Sequence, residues 1–294
     1  MMDLASLAVF RTVAKEQGIT RAAELLGRVP SNVTTRVQQL ETEIGVALFQ
    51  RDKKRMILTQ EGETFLEYAD RILNLADEAR QVVNPSAPAG TLRVGSMEST
   101  VASRLPVPLA AYNKAFPDVT IELSTAPTRQ LVDGLLARRI DCALIAIPSG
   151  EWWLEPGTLD TRALFREELV LLLPPEHPDI LSASDIQPKS LAAFAPGCTY
   201  RALAEEWLTG FGSIREHFAV QEVGSYHAMF ACTAAGSCIS IMPRSVVDLM
   251  RHLGPVREHP LMKVDTVLAC RPGFDTPAFS EFRKTLETAS DIKK

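Results

Sequence analysis

The sequence lacks the features that mark membrane and exported proteins. No apolar run approaches the roughly 18 residues that a membrane-spanning helix needs. The first residues, MMDLASLAVFRTVAKE, have no basic segment ahead of a uniformly apolar one, as a secretory signal would. We therefore expect a cytoplasmic protein that has no membrane partner.

Cysteine is also scarce and irregularly placed. The five cysteines stand at positions 142, 198, 232, 238 and 270, and no two of them form a Cys-x-x-Cys pair. An odd number of widely spaced cysteines does not suggest a disulfide framework or a zinc site. In a reducing cytoplasm these residues are expected to be free thiols.

Motifs of catalysis and cofactor binding are missing as well. The five histidines include no His-x-x-His or His-Glu-x-x-His spacing, and there is no GxGxxG, GxxxxGK[ST] or GxSxG segment. We therefore predict no catalytic residue, no metal site and no cofactor. A cytoplasmic small-molecule-binding protein or enzyme stays open as an alternative of a different class.

What is present is a long chain with an uneven charge distribution. The 294 residues are 46% hydrophobic and 23% charged, which suits two or more globular domains, and the net charge is −5. Residues 1–58 nevertheless hold nine basic and six acidic side chains, and four of the nine fall within 51–55. Unless this is chance in a short segment, it favours a small basic module in an acidic protein.

The first 44 residues show the pattern of three short helices. Apolar side chains at helical spacing predict a helix over 3–16, which Gly18 ends. Thr20 is predicted to cap a short second helix that ends at Gly27, and Pro30 to open a third. Two helices joined by a tight glycine-containing turn form a helix-turn-helix, whose second helix enters the major groove of DNA.

The third helix and the segment after it carry side chains suited to DNA. Val33, Val37 and Leu40 form its buried stripe and leave polar residues on the other faces. Residues 51–58 read as a hairpin wing with a basic turn. The predicted DNA contacts are Ser31, Asn32, Thr34, Thr35 and Arg36 for bases, and Arg51, Lys53 and Arg55 for phosphates or the minor groove. A solvated helix face of similar composition is the alternative.

A long amphipathic helix is predicted over about 60–83, after Thr59 as its cap. Its apolar positions recur every three or four residues: Phe65, Ala69, Ile72, Ala76, Ala79 and Val83, with Leu66, Leu73 and Leu75 alongside. Such a stripe needs a partner, which is either the same helix of a second subunit or the downstream domain of the same chain. Residues 84–90 read as a linker.

From Thr91 onward, short apolar strands alternate with amphipathic helices. Segments such as Cys142–Ala146 and Cys238–Met242 are entirely apolar. This alternation predicts parallel α/β sheets in two lobes, with a ligand cleft where strand ends face each other.

These residues together resemble the LysR-type transcriptional regulators over nearly the full length. The resemblance rests on Leu7-x-x-Phe10-x-x-Val13-Ala14, Thr20-Arg21-Ala22-Ala23-Glu24-x-Leu26, Val33-Thr34-x-x-Val37-x-x-Leu40-Glu41-x-x-x-Gly45-Val46-x-Leu48-Phe49-x-Arg51 and Leu58-Thr59-x-x-Gly62. Asp141-Cys142-Ala143-Leu144 and the segment 235–243 extend it. The family often has Ser and Gln where this chain has Val29 and Pro30, so base contacts are expected from the residues after Pro30.

The resemblance implies a fold and a set of partners. The expected fold is α/β, with an N-terminal helical winged helix-turn-helix, a long linker helix and a two-lobed effector domain like a periplasmic binding protein. The implied domains are 1–59, 60–84, the hinge 85–90, and 91–294, with lobe 1 at about 91–164 and 266–294 and lobe 2 at about 165–265. The implied partners are double-stranded promoter DNA, a second copy through 60–83 and further to a tetramer, a small effector, and the transcription machinery.

The resemblance also places effector contacts at the ends of lobe strands. The residues implied are Ser96, Met97, Glu98, Ser99, Thr100, Thr128, Arg129, Pro148, Cys198, Thr199, Tyr200, Arg201, Ser225 and Tyr226. The expected ligand is a carboxylate, a semialdehyde or an amino compound. Arg129 or Arg201 is a candidate for holding a carboxylate, with a purely structural role as the alternative, and Glu98 is a candidate for selecting an amine.

A thiol-based redox sensor is a further alternative. Cys198 follows a predicted strand end near the cleft, and Cys232 and Cys238 share one segment. The competing interpretation is that these cysteines are small packing residues.

Overall fold

The structure, a computed structural model, describes residues 2–52, 55–83, 87–148, 154–210 and 218–292, with only the backbone of residues 51 and 52. The chain forms two compact units: residues 1–85 with 137–139, and residues 86–136 with 140–294. None of the described helices is both long and apolar enough to cross a membrane.

The N-terminal unit is a winged helix-turn-helix followed by a long helix. Its elements are α1 (Leu4–Glu16), α2 (Ile19–Leu25), α3 (Pro30–Ile44), β1 (Phe49–Asp52), β2 (Arg55–Leu58) and α4 (Gln60–Val83). Phe10 is fully buried at the centre and packs its ring against those of Phe49 and Phe65, at centroid distances of 5.2 and 5.1 Å. One aromatic cluster thus joins α1, the wing and α4.

The ends of the first two helices differ from the prediction. Gln17, with φ 52°, ends α1 in the left-handed region, whereas Gly18 is extended and serves as the N-cap of α2. Thr20 therefore lies inside α2, and its predicted capping role was wrong. The start of α4 is as predicted, because the Thr59 hydroxyl accepts a hydrogen bond from the Gly62 amide at 2.9 Å.

The C-terminal unit alternates strands and helices around one sheet. Its strands are β3 (Gly90–Ser96), β4 (Val119–Thr125), β5 (Cys142–Ile147), β6 (Asp160–Leu173), β7 (Ser190–Ala193), β8 (Ala219–Glu222), β9 (Ile239–Pro243) and β10 (Arg257–Cys270). Its helices are α5 (Glu98–Ser103), α6 (Pro106–Ala115), α7 (Thr128–Leu136), α8 (Thr199–Thr209), α9 (Tyr226–Ala234), α10 (Arg244–Met250) and α11 (Pro277–Thr288).

The sheet is mixed, which corrects the prediction of purely parallel sheets. Its strand order is β4-β3-β5-β10-β6-β9-β7-β8. The pairs β3/β4, β3/β5, β7/β8 and β7/β9 are parallel, whereas β10 pairs antiparallel with β5 and β6, and β6 with β9. The antiparallel strands β6 and β10, 14 residues each, are the two passes of the chain between the halves of the unit.

The β6/β10 ladder is interrupted by two β-bulges. The register shifts between Pro260 and Met262, and again between Thr266 and Val267. The second shift leaves Leu164 as an extra residue on β6. Bulges of this kind locally bend and twist a strand pair.

Candidate nucleic-acid interface and ligand pocket

The first turns of α3 display the polar side chains predicted to read bases. Ser31, Asn32 and Thr35 are exposed and Thr34 is half-buried. Residues three or four apart share a helix face, so Ser31 and Thr35 stand one above the other. The Thr34 hydroxyl donates to the Pro30 carbonyl at 3.0 Å, which leaves its oxygen free to accept. Val33, Val37 and Leu40 are buried on the opposite side, as predicted.

Arg36 is held by an acidic partner on α1. Its Nη2 lies 3.2 Å from Oδ2 of Asp3, the N-cap residue of α1. Hydrogen bonds from Ser6 lower the pKa of Asp3, and the Arg36 charge lowers it further. This ion pair fixes Arg36 against α1, so that fewer of its donors remain for a base than the prediction assumed.

A carboxylate that the sequence prediction missed joins α3 to the wing. Glu41 Oε1 accepts hydrogen bonds from the backbone amides of Leu48 at 2.8 Å and Phe49 at 3.0 Å. These amides open β1, so α3 and the wing are oriented together. The only sequence signal was the position of Glu41 within the motif quoted above.

The wing is a two-stranded hairpin, as predicted. Phe49 pairs with Leu58, and Asp52 pairs with Arg55. Arg55 is exposed at the end of the hairpin where it pairs with Asp52. Lys53 and the side chain of Arg51 lie outside the described residues. Arg28, exposed in the turn before α3, is a further cation that the prediction did not include.

Gly62 allows α4 to begin directly against the wing. A Cβ at this position would lie 2.0 Å from the Leu48 carbonyl oxygen. No side chain fits there without a backbone shift. The glycine therefore serves close approach between α4 and the strand start, and not a special turn.

The C-terminal unit contains a cavity of about 200 Å³ at the carboxyl ends of β3, β4, β7 and β8. Its lining residues are Met97, Glu98, Thr125, Ala126, Pro127, Thr128, Phe194, Cys198, Tyr200, Gly224 and Tyr226. Helices α7, α8 and α9 begin at or beside this lining. The position agrees with the general rule that open α/β sheets bind ligands beyond their carboxyl strand ends.

Some of the predicted effector residues line the cavity and others do not. Those in the lining are Met97, Glu98, Thr128, Cys198, Tyr200 and Tyr226. Outside it among the described residues are Ser96, Ser99, Thr100, Arg129, Pro148, Thr199, Arg201 and Ser225. The Ser96 hydroxyl donates to the Met97 carbonyl at 3.1 Å, and that of Thr199 donates to the Ala146 carbonyl at 3.2 Å. Ser99 and Thr100 are buried, Arg129 is exposed, and Ser225 is the N-cap of α9.

Arg201 forms ion pairs and a hydrogen bond within its own unit. Its Nε lies 2.7 Å from Glu205, and its Nη1 lies 3.0 Å from Glu222 and 2.7 Å from the Phe194 carbonyl. The guanidinium is thus anchored by two carboxylates and the Phe194 carbonyl. This arrangement supports the structural alternative for Arg201.

Three residues of the cavity lining have a buried polar atom that no described residue satisfies. Glu98 receives a hydrogen bond from the Tyr226 backbone amide, but its Oε2 is buried without a partner, as are Oγ1 of Thr128 and the phenol oxygen of Tyr200. Burial raises the pKa of Glu98 above its ordinary value. An unpaired buried polar atom is costly, so these three atoms are suited to a bound ligand.

The cysteines are buried or half-buried thiols. Burial raises the pKa of Cys198 and of Cys238, and that of Cys270 to about 11. The reactive thiolate is disfavoured at these positions. These surroundings favour the packing interpretation over the redox alternative.

A winged helix-turn-helix in one chain with a pocket-bearing α/β unit is the architecture of a ligand-responsive transcriptional regulator. Residues 4–63 match the family "Bacterial regulatory helix-turn-helix protein, lysR family", and residues 85–291 match "LysR substrate binding domain". The transcriptional regulator GltR of Bacillus subtilis (strain 168) is 35% identical over 299 residues, covering 100% of this chain and 99% of GltR. SoxR of Arthrobacter sp. (strain TE1826) is 32% identical over 299 residues, covering 100% and 99%.

Among solved structures, full-length CbnR complexed with its target DNA has a similar fold. The TM-score is 0.68 at 24% identity, and the match covers 98% of this chain and 100% of CbnR. The chain belongs to the LysR family, as a DNA-binding transcriptional regulator with an effector-binding domain. The predicted family and fold class are confirmed, as is the prediction that the protein is a regulator and not an enzyme.

Proposed function

We propose that this chain binds promoter DNA as a dimer or tetramer and that a small polar metabolite in the cavity beside Glu98 modulates this binding. The observation that carries the proposal is the pair of unsatisfied atoms, Glu98 Oε2 and Thr128 Oγ1, in a pocket of a chain with a DNA-reading helix. Without a ligand the pocket buries polar atoms at a cost. With one it gains contacts, and this difference can shift a conformational equilibrium.

The DNA contacts follow from the chemistry of α3 and the wing. Ser31, Asn32 and Thr35 present hydroxyl and amide groups that can bond to base edges in the major groove. Arg28 and Arg55 are exposed cations suited to phosphates. The first group determines sequence preference and the second supplies general affinity.

The dimer is proposed from the exposed stripe of α4. Of the apolar residues predicted to face a partner, Ala69 and Leu73 instead belong to the winged-helix core, and Phe65 and Leu66 pack against it. Exposed on α4 are Tyr68, Ile72, Leu75, Ala79 and Val82, separated by steps of four, three, four and three residues. This heptad-like spacing is typical of helices that pair along one seam. Two copies of α4 would place two reading helices on one operator.

The binding experiment uses the purified protein and the DNA upstream of its own gene. We expect a retarded band, and specific competitor DNA should displace the protein at a concentration more than tenfold lower than scrambled DNA. The affinity or the footprint of the complex should change with some member of a metabolite panel. Equal displacement by both DNAs would refute the regulator proposal. A DNA complex that responds to no metabolite would refute its effector part.

The subunit interface is tested by charge insertion. Leu75→Asp is expected to convert the dimer to a monomer in sedimentation measurements, because an aspartate in the seam cannot be desolvated. Gln81→Asp, which adds the same charge about 120° away around the helix, is the matched control and is expected to leave the dimer intact. A dimeric Leu75→Asp protein would exclude α4 as the interface.

A further inference from the structure

We propose that the cavity recognises a small zwitterion, an amino acid or a close relative, with the ligand's ammonium group at Glu98 and its carboxylate at Thr128 and the start of α7. This inference rests on the proposed function and specifies the ligand of the same pocket. It follows from the charges, the unsatisfied atoms and the aromatic rings of the lining.

The charged group among the described lining residues is acidic. Glu98 is a carboxyl group, and among the described lining residues there is no Lys, Arg or His. Arg201, which follows the lining residue Tyr200, is bound to Glu205 and Glu222. A ligand that carried only negative charge would face a carboxylate without a compensating cation. A ligand with a positive group supplies the missing partner.

The geometry of Glu98 suits an ammonium group. One side of the carboxylate is fixed by the Tyr226 backbone amide, and Oε2 is left without a donor. An ammonium group brings three N–H donors and no acceptor. Phe194 and Tyr226 also line the pocket, with ring centroids 4.7 Å apart in an edge-on arrangement. Aromatic faces next to a cation add a favourable interaction.

Thr128 provides the hydrogen-bond donor that the ligand's carboxylate needs. This residue is 1% exposed, its hydroxyl has no partner among the described residues, and it stands at the start of the nine-residue helix α7. A hydroxyl donor and the positive end of a helix dipole together favour a carboxylate. One pocket therefore offers an acceptor for a cation and a donor for an anion.

The volume limits the ligand to a small one. About 200 Å³ is below the 300–1,000 Å³ or so of pockets for drug-sized ligands. The other titratable groups that face Glu98 are kept neutral, because burial raises the pKa values of Cys198, Tyr200 and Tyr226. Glu98 is thus the lining group whose charge responds to the ligand.

The test is calorimetry on the full chain with matched pairs of probes. Each pair shares a carbon skeleton and differs in one group: glycine and glycolate, L-alanine and L-lactate, L-glutamate and L-2-hydroxyglutarate. Ethanolamine serves as an amine without a carboxylate. We expect at least one amino acid to bind ten times or more tighter than its hydroxy partner.

Variants separate the two ends of the ligand. Glu98→Gln is expected to abolish the preference for the amino member, and Thr128→Val to weaken amino and hydroxy acids alike while sparing ethanolamine. Glu122→Gln, which changes an exposed carboxylate on β4, is the control and should leave the preference unchanged. Equal binding within every pair, a preference that survives Glu98→Gln, or no binding by any amine would overturn the inference.

Operator retardation on the same preparations distinguishes this failure from that of the proposed function. If a compound without an amine alters DNA binding while no amino acid binds, the regulator proposal stands and the zwitterion inference falls. If an amino acid binds with the expected preference but DNA binding does not respond, the inference stands and the proposed coupling to DNA falls.

Discussion

The two units of this chain present their polar groups in opposite ways. On α3, Ser31, Asn32 and Thr35 are exposed to solvent, where water can satisfy their polar groups. In the C-terminal unit, Glu98 Oε2 and Thr128 Oγ1 are buried and unsatisfied. A polar side chain without a protein partner therefore costs little free energy in the N-terminal unit and more in the C-terminal unit.

The difference teaches how each unit selects its partner. A solvated face gains little from each new hydrogen bond, so its selectivity comes from the number and arrangement of contacts with a large partner. A buried pocket gains from each buried atom that is satisfied, and it rejects a ligand that leaves one unpaired. Variants that affect one unit and spare the other test this contrast.

The largest effect is expected from Gly62→Ala. Its Cβ would collide with the Leu48 carbonyl oxygen at 2.0 Å, and the backbone shift should destabilise the N-terminal unit by about 3 kcal/mol or more. Operator binding should be lost while ligand binding in the pocket persists, as measured by retardation and calorimetry.

The control for Gly62→Ala is Gly18→Ala, where a Cβ would meet nothing nearer than 3.6 Å. It should cost about 1 kcal/mol or less, as a change of N-cap residue. If both variants were equally stable, close approach at Gly62 would not be the constraint.

Glu41→Ala should have the next largest effect. It would leave the amides of Leu48 and Phe49 without their acceptor, at a cost of about 2 kcal/mol, and loosen the wing relative to α3. The free energy of unfolding measured in urea and the operator affinity should both decrease. Glu41→Gln should restore much of each, because an amide oxygen can still accept these hydrogen bonds. A Glu41→Ala protein with unchanged affinity would show that wing and helix are oriented by other contacts.

Thr35→Ala and Arg55→Ala test the division of roles on the DNA-facing side. Thr35→Ala should change the preference between operator variants by about 1 kcal/mol, because it removes the hydroxyl that we propose bonds to a base edge. Arg55→Ala should weaken all sequences alike and reduce the salt slope of binding by about one. Retardation on specific and scrambled DNA at several salt concentrations measures both. Equal losses on both DNAs for Thr35→Ala would count against base readout.

The smallest effect concerns Glu98 and pH. Its folded-state pKa is raised above the ordinary value of 4.5, so the folded state holds the proton more tightly than the unfolded chain. This contribution to stability is present below pH 4.5 and is lost as pH rises through the folded pKa. Glu98→Gln cannot ionise, so without ligand its Tm should match wild type in acid and exceed it slightly at neutral pH. A neutral-pH Tm below that of wild type would contradict a desolvated carboxylate.

Local signals explain how far the sequence could predict the fold. Helix α4 was predicted over 60–83 because a threonine cap and a proline-rich linker bound its amphipathic pattern, and the structure has Gln60–Val83. Strand β10 was not predicted. Pro260 and several charged residues break its pattern, and its pairing with β5 and β6 comes from segments far away in the chain.

The pocket residues and Glu41 could likewise be predicted only in part from the sequence. Glu98 and Thr128 were identified because the family resemblance places effector contacts near the ends of lobe strands. Ala126, Pro127 and Phe194 were missed because an apolar wall looks like core in a sequence. Glu41 was missed because its partners are backbone amides, which no residue type reveals.

The long strands β6 and β10 determine what kind of motion a ligand can produce. The two halves of the C-terminal unit are joined by a long antiparallel ladder, interrupted by two bulges, and not by a flexible tether. Sliding one half along the other would break every rung at once, whereas a small rotation about the bulges at Leu164 and Leu261 preserves them. A ligand held between α7 and α8 would therefore rotate one half of the C-terminal unit relative to the other. It would change the angle between the halves and not their position along the strands.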